Sequence, residues 1–226
     1  MNKVVCRRSR RARLISLGMA PRAYQIGAAF HGWKAPPCSL GDGQSKVSIF
    51  LILLAHPAKD RDVNTASDVR LFAADVHSAQ IDPHGKPYTR HINRVAASAD
   101  ARARHARQNA GLKVNPLAAP QTAYLHDVMD ETSVTDADLR QAGFHESVMV
   151  MVELLTDLDE GLSCADCISA LIPSGNLGAI LIKISDSDDI AKAARSLPAG
   201  SILTARHAAS LPRLKDAAAA LGYNGS

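Results

Sequence analysis

The chain has 226 residues, a formal net charge of +4, 46% apolar residues and 4% aromatic residues. That length and apolar content suit one ordinary globular core plus a tail, and abundant alanine with few β-branched runs favours helices. Four cysteines without an even ladder exclude a disulfide-stapled scaffold and make a reducing cytoplasm the expected compartment.

The first 62 residues read as an irregular extension. Lys3, Arg7, Arg8, Arg10, Arg11 and Arg13 stand together without an acid. Like charges in a block repel and do not pack, so a disordered tail is the first reading. An arm for an anionic surface or nucleic acid and a targeting peptide are the others. Residues 47–55 (VSIFLILLA) are apolar, but only about half as long as a membrane-spanning helix requires. No membrane is therefore expected as a partner, and nucleic acid is a minor reading confined to the basic start.

Regular structure is expected over 63–226 as one all-α domain. Thr65 or Ser67 caps a helix running to Gln80, whose apolar stripe is Leu71, Phe72, Ala74, Val76 and Ala79. Asp82-Pro83-His84-Gly85-Lys86-Pro87 is a turn cluster. A second helix is expected over 89–99, followed by a solvated Ala- and Arg-rich helix over 100–109. A loop over 111–120 leads to a helix over 122–130. Thr135 caps a short helix ending at Gly143, and the apolar stretch 145–158 reads as a central buried helix. Helices over 163–171, 177–194 and 201–221 follow, the last stopped by Gly222. Cys164 and Cys167 form a lone CxxC with helical spacing, which reads as two small helix residues rather than a zinc site.

Three stretches carry titratable groups in unusual settings. One is Tyr88-Thr89-Arg90-His91, directly after the turn cluster. The second, Leu125 to Thr132, places His126, Asp127, Asp130 and Glu131 at the end of an apolar approach. On a helix, His126 and Asp130 share a face, as do Asp127 and Glu131. Such a group is costly unless it is solvated or paired with a cation. An acid-rich surface helix end is the plain alternative. In the third stretch Asp186 follows the apolar run Ala179-Ile180-Leu181-Ile182, where it caps, pairs with Lys183 or ligates. Two imidazoles and two carboxylates make a mixed N/O set suited to a divalent ion such as Mn²⁺ or Fe²⁺, but spacing alone does not show that they converge.

The wording of these blocks resembles the HD-domain superfamily of metal-dependent phosphohydrolases. It is most similar to the small stand-alone relatives of the (p)ppGpp hydrolase domain of RelA/SpoT proteins. The matching text is Val76-His77-Ser78-Ala79-Gln80, Gly85 to His91, Leu125 to Thr132, Ala142-Gly143-Phe144 with Val148 to Thr156, and Lys183 to Asp189, in family order over about 150 residues. The resemblance implies a compact multi-helix bundle. It also implies a divalent metal, Mn²⁺ being the expected ion, held by His91, His126, Asp127 and Asp186. Asp130 and Glu131 fall where the family has the acidic pair that positions and deprotonates the attacking water. Tyr88 and Lys183 are the expected substrate contacts. The implied substrate is a small phosphorylated nucleotide, and the implied reaction removes the 3′-pyrophosphate of (p)ppGpp, the chemistry of the stringent response.

This chain departs from the family wording in four places. The Glu-Asp order is reversed to Asp130-Glu131, Ile190 replaces an asparagine, Ala79 replaces a glycine, and Ile81-Asp82-Pro83 replaces basic residues. These changes leave the four ligand positions intact. They admit an alternative function, a degenerate domain that binds a nucleotide as a sensor without turnover.

Overall fold

A computed structural model describes residues 65–82, 84–156, 164–194 and 202–225, with the side chains of 164–167, 194 and 202–209 excepted. The basic extension and the apolar stretch 47–55 lie outside the described residues. So do the cysteine side chains of the CxxC.

Every regular element among the described residues is helical, apart from one isolated antiparallel bridge between Ile81 and Pro87. The helices are α1 (Ala66–Val76), α2 (Thr89–Gln108), α3 (Ala118–Leu125), α4 (Val128–Glu131), α5 (Asp136–Gln141), α6 (Glu146–Leu155), α7 (Cys164–Leu171), α8 (Leu177–Ala194) and α9 (Ile202–Ala220). Two of the expected caps form complete capping boxes. Thr65 accepts from the Asp68 amide, Thr135 accepts from the Asp138 amide, and each aspartate reaches back to the cap. That satisfies amides with no partner inside the helix. Gly143 and Gly222 stand at φ +80° and +92° after α5 and α9, where a side chain would be strained.

The bundle is organised around α8. Ala179, Ile180, Leu181, Ile182 and Ile184 are each at most 2% exposed. A helix apolar on all sides is stable only when neighbours cover it, and α9, α2, α6 and α3 do so. Each such leucine or isoleucine gains about 1.5–3 kcal/mol from burial. Gly178 lets α6 come close, because a Cβ there would stand 2.8 Å from Met151 Sδ.

Four sequence expectations are corrected. The first helix stops at Val76 rather than Gln80, and His77 (φ −98°, ψ 9°) ends it. The separate helices over 89–99 and 100–109 are one helix, and its second half is solvated on one face while the other packs inward. Ala99, Ala103 and Ala106 are fully buried. The chemistry of Arg102 hid this face: its guanidinium donates to Asp188 at 2.5 Å and also bonds Ser98, so it goes inside paired. The loop over 111–120 gives way to α3 at Ala118, because Pro120 sits in a first turn that needs no proline N–H. Finally, the helix over 122–130 is broken into α3 and α4 at His126 and Asp127, where Asp127 has φ −106° and ψ 0°.

Candidate metal centre

The break between α3 and α4 turns the His126-Asp127 pair into the bundle. His126 is 2% exposed, and its Nδ1 donates to the Ala123 carbonyl at 2.9 Å. That bond fixes the ring and turns Nε2 toward Asp127 and Asp186. His91 comes from the first turn of α2 and is 6% exposed; Asp186 comes from the middle of α8 and is 3% exposed.

These four side chains meet. His126 Nε2 lies 3.0 Å from Asp127 Oδ2 and 3.7 Å from Asp186 Oδ1. His91 Nε2 lies 3.7 Å from Asp127 Oδ2 and 3.5 Å from Asp186 Oδ1. Ligand atoms of His91, His126 and Asp127 all fall within 4.8 Å of one another. Yet the buried His126 Nε2 has no hydrogen-bond partner. Its 3.0 Å neighbour lies off the line a hydrogen bond requires. Ligand atoms of His91, His126 and Asp127 are thus close enough to share one divalent cation, with Asp186 Oδ1 beside both imidazole nitrogens.

The surroundings hold each donor in place. The Tyr88 hydroxyl donates to Asp127 Oδ2 at 2.5 Å. Lys183 Nζ donates to Asp186 Oδ2 at 3.0 Å. Asp189, one turn beyond Asp186, accepts from His91 Nδ1 at 2.8 Å and is gripped by the Arg94 guanidinium at 2.7 and 2.9 Å. His91 therefore sits between one carboxylate that orients it and the cluster that uses its other nitrogen, the arrangement found behind metal-bound histidines.

Electrostatics follow from this crowding. Burial disfavours the charged form of His91, but hydrogen bonds to Asp186 and Asp189 and the charges of Asp186 and Asp127 outweigh it and raise its pKa to about 9. In His126 burial is likewise overcome by Asp127 and Asp186, and its pKa is raised to about 10. Burial pushes the Asp186 carboxyl up, but Lys183 and the two imidazoles hold it well below the usual range. Asp127 is lowered in the same way, against its burial, chiefly by His126. Protons on the two rings thus balance the two carboxylates. Glu131 behaves oppositely: burial first, then the charges of Asp127 and Asp130, push it up to about 7.

The structure therefore brings together His91, His126, Asp127 and Asp186, with Tyr88 and Lys183 in contact with the carboxylates. Glu131 is close enough for its ionisation to respond to Asp127, while Asp130 is exposed on α4. Asp189, Arg94 and His77 were missed as site residues. The signal for the first pair was their spacing, since Asp189 follows Asp186 by three positions as Arg94 follows His91. His77 stood in a quoted motif block without a role; the structure buries it completely, its ring centroid 5.4 Å from that of Tyr88.

No family model and no curated protein matches the sequence. Among solved structures the chain is similar to a metazoan ortholog of SpoT that hydrolyses ppGpp and plays a role in starvation responses. The TM-score is 0.51 and the identity 23%, over 73% of this chain and 90% of that one. The likeness shows a helical fold shared with that protein.

Proposed function

We propose that this chain is a divalent-metal-dependent phosphohydrolase of phosphorylated nucleotides, with (p)ppGpp and loss of its 3′-pyrophosphate as the first candidate reaction and Mn²⁺ as the ion. The observation that carries the reading is the convergence of two imidazoles and two carboxylates around a buried, unbonded His126 Nε2. The similarity in fold to a ppGpp hydrolase supports it.

His91, His126, Asp127 and Asp186 would hold the ion. When bound, it supplies Lewis-acid polarisation of a phosphoryl oxygen and of the attacking water. The remaining work falls to the chain. The Tyr88 hydroxyl orients Asp127, and with that bond made, orientation rather than direct substrate contact is the role its geometry favours. Lys183 sets the charge of Asp186 and keeps an 18% exposed side chain from which a phosphate could be met. Glu131 is the proton acceptor: its carboxylate, pushed up to about 7, suits a base working near neutral pH. Asp130, more exposed and next to Glu131, raises the basicity of that neighbour through its charge.

The test is metal analysis of the purified full chain, followed by incubation with Mn²⁺ and a nucleotide panel that includes ppGpp, scored for released pyrophosphate and phosphate. Metal-stimulated release from a guanosine polyphosphate supports the reading. Tight nucleotide binding with no release favours the sensor, for which the reversed Asp130-Glu131 order is the motivating feature.

A further inference from the structure

Beyond the Tyr88 hydroxyl, the segment between α1 and α2 makes contacts that the proposed chemistry does not use. Its ends are held opposite each other by a narrow turn. Asp82 N donates to the Lys86 carbonyl at 2.7 Å, the Asp82 carboxylate accepts from the amides of His84 and Lys86, and Gly85 stands at φ +70°. The Tyr88 amide then donates to the Gln80 carbonyl at 3.0 Å. One end of this turn carries Tyr88, which grips Asp127. The other carries Gln80.

The side chain of Gln80 spans from this turn to α4. Its Nε2 donates to the backbone carbonyl of Glu131 at 2.5 Å, 51 residues away in sequence. Its Oε1 lies 2.6 Å from His77 Nδ1. Because Nε2 is committed to a carbonyl, Oε1 faces the histidine, and His77 Nδ1 must be the donor. Burial lowers the pKa of His77 and keeps it neutral for this task. The Glu131 carbonyl needs such a donor. It is the last residue of a four-residue helix, and Thr132 turns at once to extended backbone, so no following helical amide reaches it.

Resting on the proposed hydrolase reading, we infer that His77 and Gln80 form a strut that positions Glu131 against the metal cluster. The same short turn thus fixes two partners in one frame, the carboxylate Asp127 through Tyr88 and the base Glu131 through Gln80. Rings of His77, Tyr88, His91 and His126 follow one another with centroids 5.4, 5.2 and 5.6 Å apart, so the frame is packed throughout. Gln80 and His77 are positioning residues: they act through the backbone of Glu131.

The experiment compares wild type, Gln80→Ala, Gln80→Glu, Glu131→Gln and the double variant Gln80→Ala/Glu131→Gln, all in the full chain with Mn²⁺. Both Gln80 variants should lower kcat by on the order of a hundredfold, the effect of a small misplacement, with KM and Mn²⁺ affinity within about twofold of wild type. In the Glu131→Gln background, Gln80→Ala should cost nothing further, because its target is gone. Full additivity in the double variant overturns the strut and leaves the hydrolase reading standing. Hydrogen exchange over 128–132 is the readout independent of turnover. Faster exchange there in Gln80→Ala, at equal global stability, supports the strut, and unchanged protection overturns it, even in a chain that hydrolyses no nucleotide.

Discussion

Metal uptake by this cluster should be strongly coupled to protons. In the cation-free chain the pKa values of His91 and His126, about 9 and about 10, stand two and three units above pH 7, so both rings hold protons there. Asp127 and Asp186 are already ionised at that pH, since both are depressed. A cation taking Nε2 of each ring must displace those protons, while the carboxylates release none. Binding at pH 7 should therefore release about two protons. The apparent association constant should rise about a hundredfold per pH unit between about pH 6.5 and 8, equivalent to about 2.7 kcal/mol per unit. Isothermal titration of the EDTA-stripped full chain with Mn²⁺, in buffers of contrasting ionisation enthalpy, counts the protons directly. A count near zero at pH 7, or an affinity flat with pH, would refute the protonated state of the two imidazoles in the cation-free chain.

Asp127→Ala should abolish uptake of Mn²⁺ together with any turnover, because a donor at the centre of the cluster is lost; equilibrium dialysis checks it. Glu131→Gln should retain the metal and lose about 10²–10⁴-fold in kcat, and hydrolysis at the parental rate would remove Glu131 as the base. Asp189→Leu should weaken Mn²⁺ binding by about 10–100-fold, since the hydrogen bond that holds the His91 ring is lost; an unchanged dissociation constant would contradict this. In the chelated chain the raised pKa values of His91 and His126 contribute stability that is complete below about 6.5 and is lost as pH rises through about 9 to 10. Its Tm in EDTA should accordingly fall between about pH 6.5 and pH 10, and a flat profile would show that the two rings are neutral in the folded chain.

Local chemistry made much of this protein legible from its sequence. The Thr65 and Thr135 caps, the helix over 177–194 and the glycines at 143 and 222 follow from rules that act within a few residues. The four candidate donors were nominated through the resemblance of their surrounding blocks, which are short and local too. What needed the tertiary structure was every relation between distant segments. Residues 100–109 look solvated because arginine is costly to bury; that Asp188 on α8 meets Arg102 cannot be read from either segment alone. The break at His126 and Asp127 is a tertiary choice, since the intact helix its sequence allows would not turn both side chains into the bundle. The roles of Asp189 and Gln80 exist only because α2, α4 and α8 converge, with partners 98 and 51 residues apart. Helix ends are set by hydrogen bonds to near neighbours, whereas a cluster of charges is decided by which surfaces close over it. The chain therefore carried the candidate donors in its sequence, and only the packing around α8 brought them together.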